Sequence, residues 1–501
     1  MLGAARSGMS FAMSHHRAHK LLTEFRPPWL VGCSLVILLV GVALRFTRSD
    51  FQSLWYDEVF SVVAAQAPNF DELLAVVGRD FHPPLYFVLL RGWFALWGQS
   101  DLSARLLSGV IGALSLAMVG VCARDVLGRS YVPIALLLAG TSLTLIWFSQ
   151  EVRQYELLFL VGAVCFHSVW RLIRAEKALP SVVVYVAVSH AAALYVHYAS
   201  ALIFISEWMA VLLLVPRRPS GVRRSLFRGT VAARLFVAHT GTFILFSPWI
   251  PRFMAQREVA RGGLWIPTPT LSTVLELIPR LFAYRLPWDT GRFPYLYLAL
   301  WMPVIGVALW FFGRKGKEGS DQEPGSDGLT LIAVWCIVPI VASYLISLGD
   351  TKILFFRNLL FMLPGLILLL SLGSVHYRSV MLPTAFIIAT SLANLPWYYT
   401  SRHKEDWRRA SPYILERLNP SSAMIFDAPG TWLSFDYYTK HAPFRDFSSD
   451  SAGSWEQVLY VRSLSGTPLA DISARLGAHG FKLAHRKNFP GIIVLTFKPE
   501  K

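Results

Sequence analysis

The stretch Trp55-Tyr56-Asp57-Glu58 decides the reading of this chain. It follows the first apolar run, from about Trp29 to Leu44, and sets two adjacent carboxylates just beyond a hydrophobic segment. Acids at a membrane boundary are costly unless they have a task, so the pair marks a candidate functional site. Basic residues ahead of the run (Arg6, Arg17, Lys20, Arg26) place the N-terminus in the cytoplasm and residues 45–103 outside. No small-residue cleavage site precedes an exported domain, so the run reads as an uncleaved first span.

Composition sets the class. The chain has 501 residues, 54% of them hydrophobic and 16% charged, and a mean hydropathy of +0.46. These values lie far from a soluble globular protein and imply a polytopic α-helical membrane protein. The net charge of +16 belongs first to cytoplasmic loops and anionic headgroups, and no nucleic-acid partner is expected. The cysteines Cys33, Cys122, Cys165 and Cys336 all fall in apolar runs, with no disulfide or metal spacing.

Further spans are expected at 104–123, 131–148, 154–170, 180–196, 199–215, 233–250, 294–312, 329–347, 358–373 and 379–398. Each is near the roughly 20 residues a helix needs to cross a bilayer, giving about 11 in all. Arg124 and Arg129, then Arg171, Arg174 and Lys177, then Arg217, Arg218, Arg223, Arg224, Arg228 and Arg234 fall in loops on the inner side. Arg314, Lys315, Lys317 and Arg378 join them. The polar stretch 317–325 reads as a flexible inner loop. Within the first external loop, Asp57 and Glu58 suit the first turn of an interfacial helix. His82-Pro83-Pro84 opens a second, running to Trp97.

The chain thus divides into a cytoplasmic segment 1–28, a membrane domain 29–398 and an external domain 399–501. In the last, helices are expected at 407–418, 431–438 and from Thr467 to the stop at Gly480, with strands at 422–426, 458–461 and 491–497. That alternation predicts a small α/β domain.

Polar residues gather at external span ends: His82, Gln150-Glu151-Val152-Arg153-Gln154-Tyr155, His197, Lys352, Arg357 and 404–409. Glu151 and Arg153 are two apart and do not face each other on one helix, which favours a ligand role for Arg153 over a structural pair. His82 and His197 raise a metal option with Asp57. They lack ligand spacing, so no metal or other cofactor is expected.

Tyr56-Asp57-Glu58, HPPLYF at 82–87, SARLLSGVIGALS at 103–115, QEVRQY at 150–155 and RNLLFMLPGLILLL at 357–370 resemble the bacterial GT-C glycosyltransferases. These are relatives of the protein O-mannosyltransferases and the lipid A aminoarabinose transferases. KEDWRRASPYI at 404–414 is similar to the segment by which many members enter a C-terminal periplasmic domain. The resemblance implies an inverting transfer of a hexosyl or pentosyl group from a polyprenyl-phosphate donor, at the outer face of the bacterial inner membrane, to a lipid, glycan or protein acceptor. Asp57 matches the catalytic base, with Glu58 beside it. His82, Arg153, Tyr155, His197, Lys352 and Arg357 are the substrate-binding candidates, the cations facing the lipid phosphate. A flippase for a lipid-linked saccharide is the competing reading, and an inactive scaffold a third. The flippase needs polar or broken helices at the bilayer midplane, whereas these charges stand at span ends.

Overall fold

The computed structural model describes residues 28–175, 179–213, 221–261, 266–283, 326–376, 378–428, 430–447, 455–463 and 467–500. Seven of the described helices are long and apolar enough to cross a membrane: Trp29–Phe46, Asp101–Val126, Tyr155–Arg174, Thr230–Glu258, Asp327–Ser347, Phe356–Val375 and Val380–Thr400. The chain is a multi-pass membrane protein. Val31, Leu35, Val36, Leu39 and Val40 on the first helix are exposed, a surface suited to lipid rather than water.

The expected span 131–148 is bent by 62° between Arg129–Thr141 and Leu143–Ser149, and taken whole it would be an eighth. Ser142 is the reason: its Oγ accepts the Leu145 N–H (3.4 Å) and donates to the Phe282 carbonyl (3.1 Å). A serine capping the second half starts a new helix there. Pro180–Val196 and Tyr198–Leu213 are shorter apolar helices, and 294–312 and 317–325 lie outside the described residues.

In the first external loop, helices Tyr56–Ala65 and Leu85–Trp97 stand where expected, with a further one at Phe70–Gly78 capped by Asn69. The first is packed inside the protein rather than lying in the interface, with Glu58, Val59, Ser61 and Val62 buried. Helix Ile250–Arg261 forms the last part of the Thr230–Glu258 span and Leu271–Ala283 follows it; the sequence reading leaves both as loop.

Helix Tyr155–Arg174 crosses the 3-10 turn Phe356–Met362 at Gly162. A Cβ there would stand 2.5 Å from Phe361 Cα and 2.6 Å from its carbonyl oxygen. Alanine is worth up to about 1 kcal/mol over glycine inside a helix, but backbone atoms cannot rotate away, so overpacking of about 1–3 kcal/mol prevails. Gly162→Ala is expected to lower the unfolding temperature in detergent; an unchanged or higher value would show that the two elements separate easily.

The C-terminal domain has a four-stranded sheet in the order β1-β2-β4-β3, with β1 Ser422–Phe426, β2 Gln457–Arg462, β3 Phe481–Phe489 and β4 Ile492–Pro499. β1 and β2 are parallel; the other pairs are antiparallel. Strand alternation sends Leu459, Val461 and Val494 to one face against Trp407 and Phe435, and Val458, Tyr460 and Leu495 to the other against Ile472 and Leu476. β3 is absent from the sequence reading because Lys482, His485, Arg486 and Lys487 break the apolar signal. An edge strand bearing such charge resists pairing with other chains.

This domain is fastened to the segment around residues 50–101, between the first two long membrane helices. Arg408 Nη2 donates to Asp50 Oδ1 and Asp101 Oδ2, both at 2.9 Å. The hydroxyls of Tyr437 and Tyr438 donate to Asp101 (2.9 and 2.8 Å), and Tyr438 accepts the Leu54 N–H (2.8 Å).

Candidate active site

The two acids of the opening stretch have opposite surroundings. Glu58 is fully buried, and four donors meet its carboxylate, Trp55 N–H, Val152 N–H and Arg105 Nε and Nη2, at 3.0–3.3 Å, while Lys404 Nζ stands 3.1 Å away as an ion-pair partner. The Trp55 bond is the return half of a capping box and starts the helix. Burial opposes ionisation of Glu58, yet the charges of Arg105 and Lys404 and these bonds hold its pKa down at about 2. A carboxylate so occupied positions the loop; it has no lone pair directed at a substrate.

Asp57 is half-buried one residue earlier. Side-chain donors among the described residues reach its backbone carbonyl, from Ser61 Oγ (3.1 Å) and Arg153 Nη1 (3.4 Å), and leave its carboxylate open. Arg153 is 4% exposed. Its Nη1 also contacts Ser61 Oγ (3.3 Å) and its Nη2 stands 3.2 Å from His82 Nδ1. That same Nδ1 lies 2.8 Å from Asp80 Oδ2. One ring nitrogen cannot donate to Asp80 and accept from Arg153 together, and the shorter contact takes the proton. Nη2 of Arg153 is thereby left for a ligand, and its Nε is buried without a partner. Burial disfavours the Arg153 charge, but the carboxylates of Asp57 and Asp80 outweigh it and raise the pKa. Asp80 is held at about 2 in turn: burial opposes ionisation, and His82 and Arg153 overcome it.

His197 joins from the end of helix Pro180–Val196, its ring 5.8 Å from that of His82. Its Nδ1 accepts the Ala199 N–H (3.1 Å), so Nε2 bears the hydrogen. Burial first, then the positive charge of His82, Arg153 and Arg357, push its pKa down to about 3 and keep the ring neutral. The Arg357 guanidinium lies 5.1 Å over the Tyr155 ring. Asp57, His82, Arg153, Tyr155, His197 and Arg357 therefore lie close together. Lys352 is set apart, donating to the carbonyls of Ser347 (3.1 Å) and Gly349 (2.6 Å).

Glu151 does not pair with Arg153. It accepts from the Trp147 indole (2.6 Å) and lies 3.4 Å from Lys404 Nζ. Lys404 thus bridges Glu58 and Glu151. Its neighbour Glu405 accepts from Trp407 Nε1 (2.7 Å) and keeps Oε1 buried without a partner. Burial pushes the Glu405 pKa up to about 7, with Asp57 and Asp427 adding to it. A carboxyl whose folded pKa exceeds its unfolded value of 4.5 favours the folded state below that value and loses the benefit as pH rises through 7. Glu405→Gln is accordingly expected to unfold at a higher temperature than the parent at pH 8 and to converge with it at pH 5; equal melting curves at both would rule out a buried neutral acid.

No protein-family model matches the chain, and no curated relative does. Among solved structures, ArnT from Cupriavidus metallidurans in the apo state superposes with a TM-score of 0.55 at 12% identity, covering 93% of this chain and 97% of that one. ArnT bound to undecaprenyl phosphate gives 0.53 at 11% identity, with 94% and 98% covered. The chain shares the fold of ArnT. The oligosaccharyltransferase of Archaeoglobus fulgidus in its apo form gives a TM-score of 0.49 at 11% identity, covering 91% of this chain and 71% of that one.

Within this shared fold, Arg105, Lys404, Asp80 and Glu405 matter to the site although the sequence reading gives none of them a role. Lys404 and Glu405 lie in the quoted 404–414 motif; Arg105, in 103–115, reads as one charge among helix residues. Asp80 stands two residues before His82, too close along the chain to suggest a ring contact.

Proposed function

We propose that this protein is a glycosyltransferase. It moves a sugar from a polyprenyl-phosphate-linked donor to an acceptor hydroxyl on the extracytoplasmic face of the membrane, with inversion. The observation that carries the reading is the open Asp57 carboxylate beside the buried guanidinium of Arg153, with the half-buried Arg357 on the same side of Tyr155 and His197. A soluble anion site would not need the base, and a flippase would need neither it nor the span-end position.

In this reading Asp57 takes the proton of the acceptor hydroxyl by general-base catalysis. The acceptor oxygen bonds the anomeric carbon, the bond from that carbon to the phosphate oxygen breaks, and the lipid phosphate departs as an anion. Arg153 and Arg357 stabilise the charge as it develops, and the neutral His197 offers an N–H. Tyr155 supports Arg357 through its ring face. His82, locked to Asp80, keeps Arg153 aligned. Glu58 positions the loop, and Lys352 adds positive potential near the lipid headgroup. The acceptor is a lipid, a glycan or a protein. ArnT, captured with undecaprenyl phosphate on the same fold, supports the choice of donor class. Charge bias supports an inner-membrane orientation with the C-terminal domain outside.

Mass spectrometry of envelope glycolipids and polysaccharides from a deletion strain tests the reading. Loss of one glycosylated species, restored by the parent gene, is expected. An unchanged profile under conditions of expression would sink it, and transbilayer movement of lipid-linked sugar without transfer in reconstituted vesicles would favour the flippase.

A further inference from the structure

A second constellation lies apart from Asp57, inside the membrane domain. His190 on helix Pro180–Val196, Glu207 on Ala201–Leu213 and His239 on Gly221–Phe246 converge, all buried, with their ligand atoms within 4.8 Å of one another. His190 Nε2 stands 2.6 Å from Glu207 Oε1 and His239 Nε2 stands 2.8 Å from Oε2. The rings of Phe204 and Trp208 enclose the group: Phe204 is 5.6 Å from His190 and 4.5 Å from His239, and Trp208 is 6.0 Å from His239.

The hydrogen bonding poses a definite chemical question. His190 Nδ1 faces the Val186 carbonyl at 2.7 Å, an obligate acceptor, so Nδ1 bears a hydrogen. Nε2 of the neutral ring then presents a lone pair to a carboxylate oxygen at 2.6 Å, and acceptor faces acceptor. The contact requires a cation between them. A proton serves one nitrogen–oxygen pair alone, either as an imidazolium beside a carboxylate, at a desolvation cost, or as a carboxylic acid donating to the ring. A divalent metal ion instead engages all three side chains at once. Two histidines and a carboxylate are a zinc donor set, and the Nδ1–H to carbonyl bond is the outer-shell contact that orients a ligating histidine.

We propose that His190, Glu207 and His239 form a buried structural site for a divalent transition metal of the zinc class. Metal bonds of about 2.0–2.2 Å in a tetrahedral arrangement separate ligand atoms by about 3.3 Å. The ion therefore requires each histidine to part from Glu207 by about half an ångström from the hydrogen-bonded spacing of 2.6 and 2.8 Å. The site ties three helices together. His190 and His197 share one of them, about 10 Å apart along its axis, so the metal holds the strut on which His197 stands. This inference is independent of the glycosyltransferase reading.

The test is elemental analysis of the full chain purified into nanodiscs from zinc-supplemented cells. About one zinc per chain is expected, falling at least tenfold in Glu207→Gln and His239→Gln and persisting in His82→Asn. Zinc absent from the parent protein, or zinc that follows His82, would overturn the site. Should the triad variants fail to fold, cobalt(II) loading of the parent decides: tetrahedral d–d absorption bands support the site, and their absence at saturating cobalt rejects it.

Discussion

Asp57→Asn is expected to cut kcat by about 100-fold to 10,000-fold, the range for loss of a general base, with binding of the polyprenyl-phosphate donor retained. Asparagine keeps the shape of aspartate and cannot take a proton. The folding cost is small, because no protein donor among the described residues holds the Asp57 carboxylate. Donor affinity should hold or rise, since the Asp57 carboxylate is first among the charges that favour the Arg153 cation, and removing it leaves that positive field less compensated. Single-turnover assays with a labelled lipid donor, run beside equilibrium donor binding, separate the effects. Turnover within a few fold of the parent would remove Asp57 from the mechanism.

Arg105→Met should be the most destabilising single change in the external region. The guanidinium is 1% exposed and donates to the carbonyls of Ser49 (3.0 Å), Gln52 (2.6 Å) and Ser53 (2.8 Å) as well as to both oxygens of Glu58. Removing it strands a buried carboxylate, which costs about 3–5 kcal/mol. Replacing Glu58 as well, in Arg105→Met with Glu58→Met, should recover part of the loss, as buried pairs replaced together by apolar groups often do. Equilibrium unfolding in detergent measures both; a loss below about 1 kcal/mol would place the pair with ordinary surface bridges. The pH dependence carries a sign. Glu58 has a folded pKa of about 2 against an ordinary 4.5. Its stabilisation is present above pH 4.5 and disappears as pH falls towards 2, an acid limb that Glu58→Gln should lack.

Much of this architecture was legible in the residues. Apolar runs and basic inner loops marked the membrane helices, and the alternation after Tyr399 marked the small α/β domain. The helix starting at Tyr56 was announced by its first-turn acids. What escaped reading depended on contacts between distant parts of the chain. Asp57 and Glu58 are adjacent and chemically alike, and only the arrival of Arg105 and Lys404 separates their roles. The break at Ser142 was hidden because one serine in an apolar run looks like any other until its neighbours Leu145 and Phe282 are placed. His190, Glu207 and His239 carry no ligand spacing, since each comes from a different helix. Their one sequence signal is the rarity of ionisable side chains inside apolar spans.

The bridge from Lys404 to Glu58 and Glu151 bears on the order in which the site is assembled. The helix bearing Asp57 leaves the ribosome well before the cation that helps seat it. The described membrane helices can thus be inserted before the loop at Asp57 has its final support. A nascent chain without residues beyond 400 should sit in the membrane yet stay inert, and adding the missing piece in trans should awaken it. In the proposed glycosyltransferase, such an order would keep the Asp57 carboxylate from meeting lipid-linked sugars until the C-terminal domain has been made.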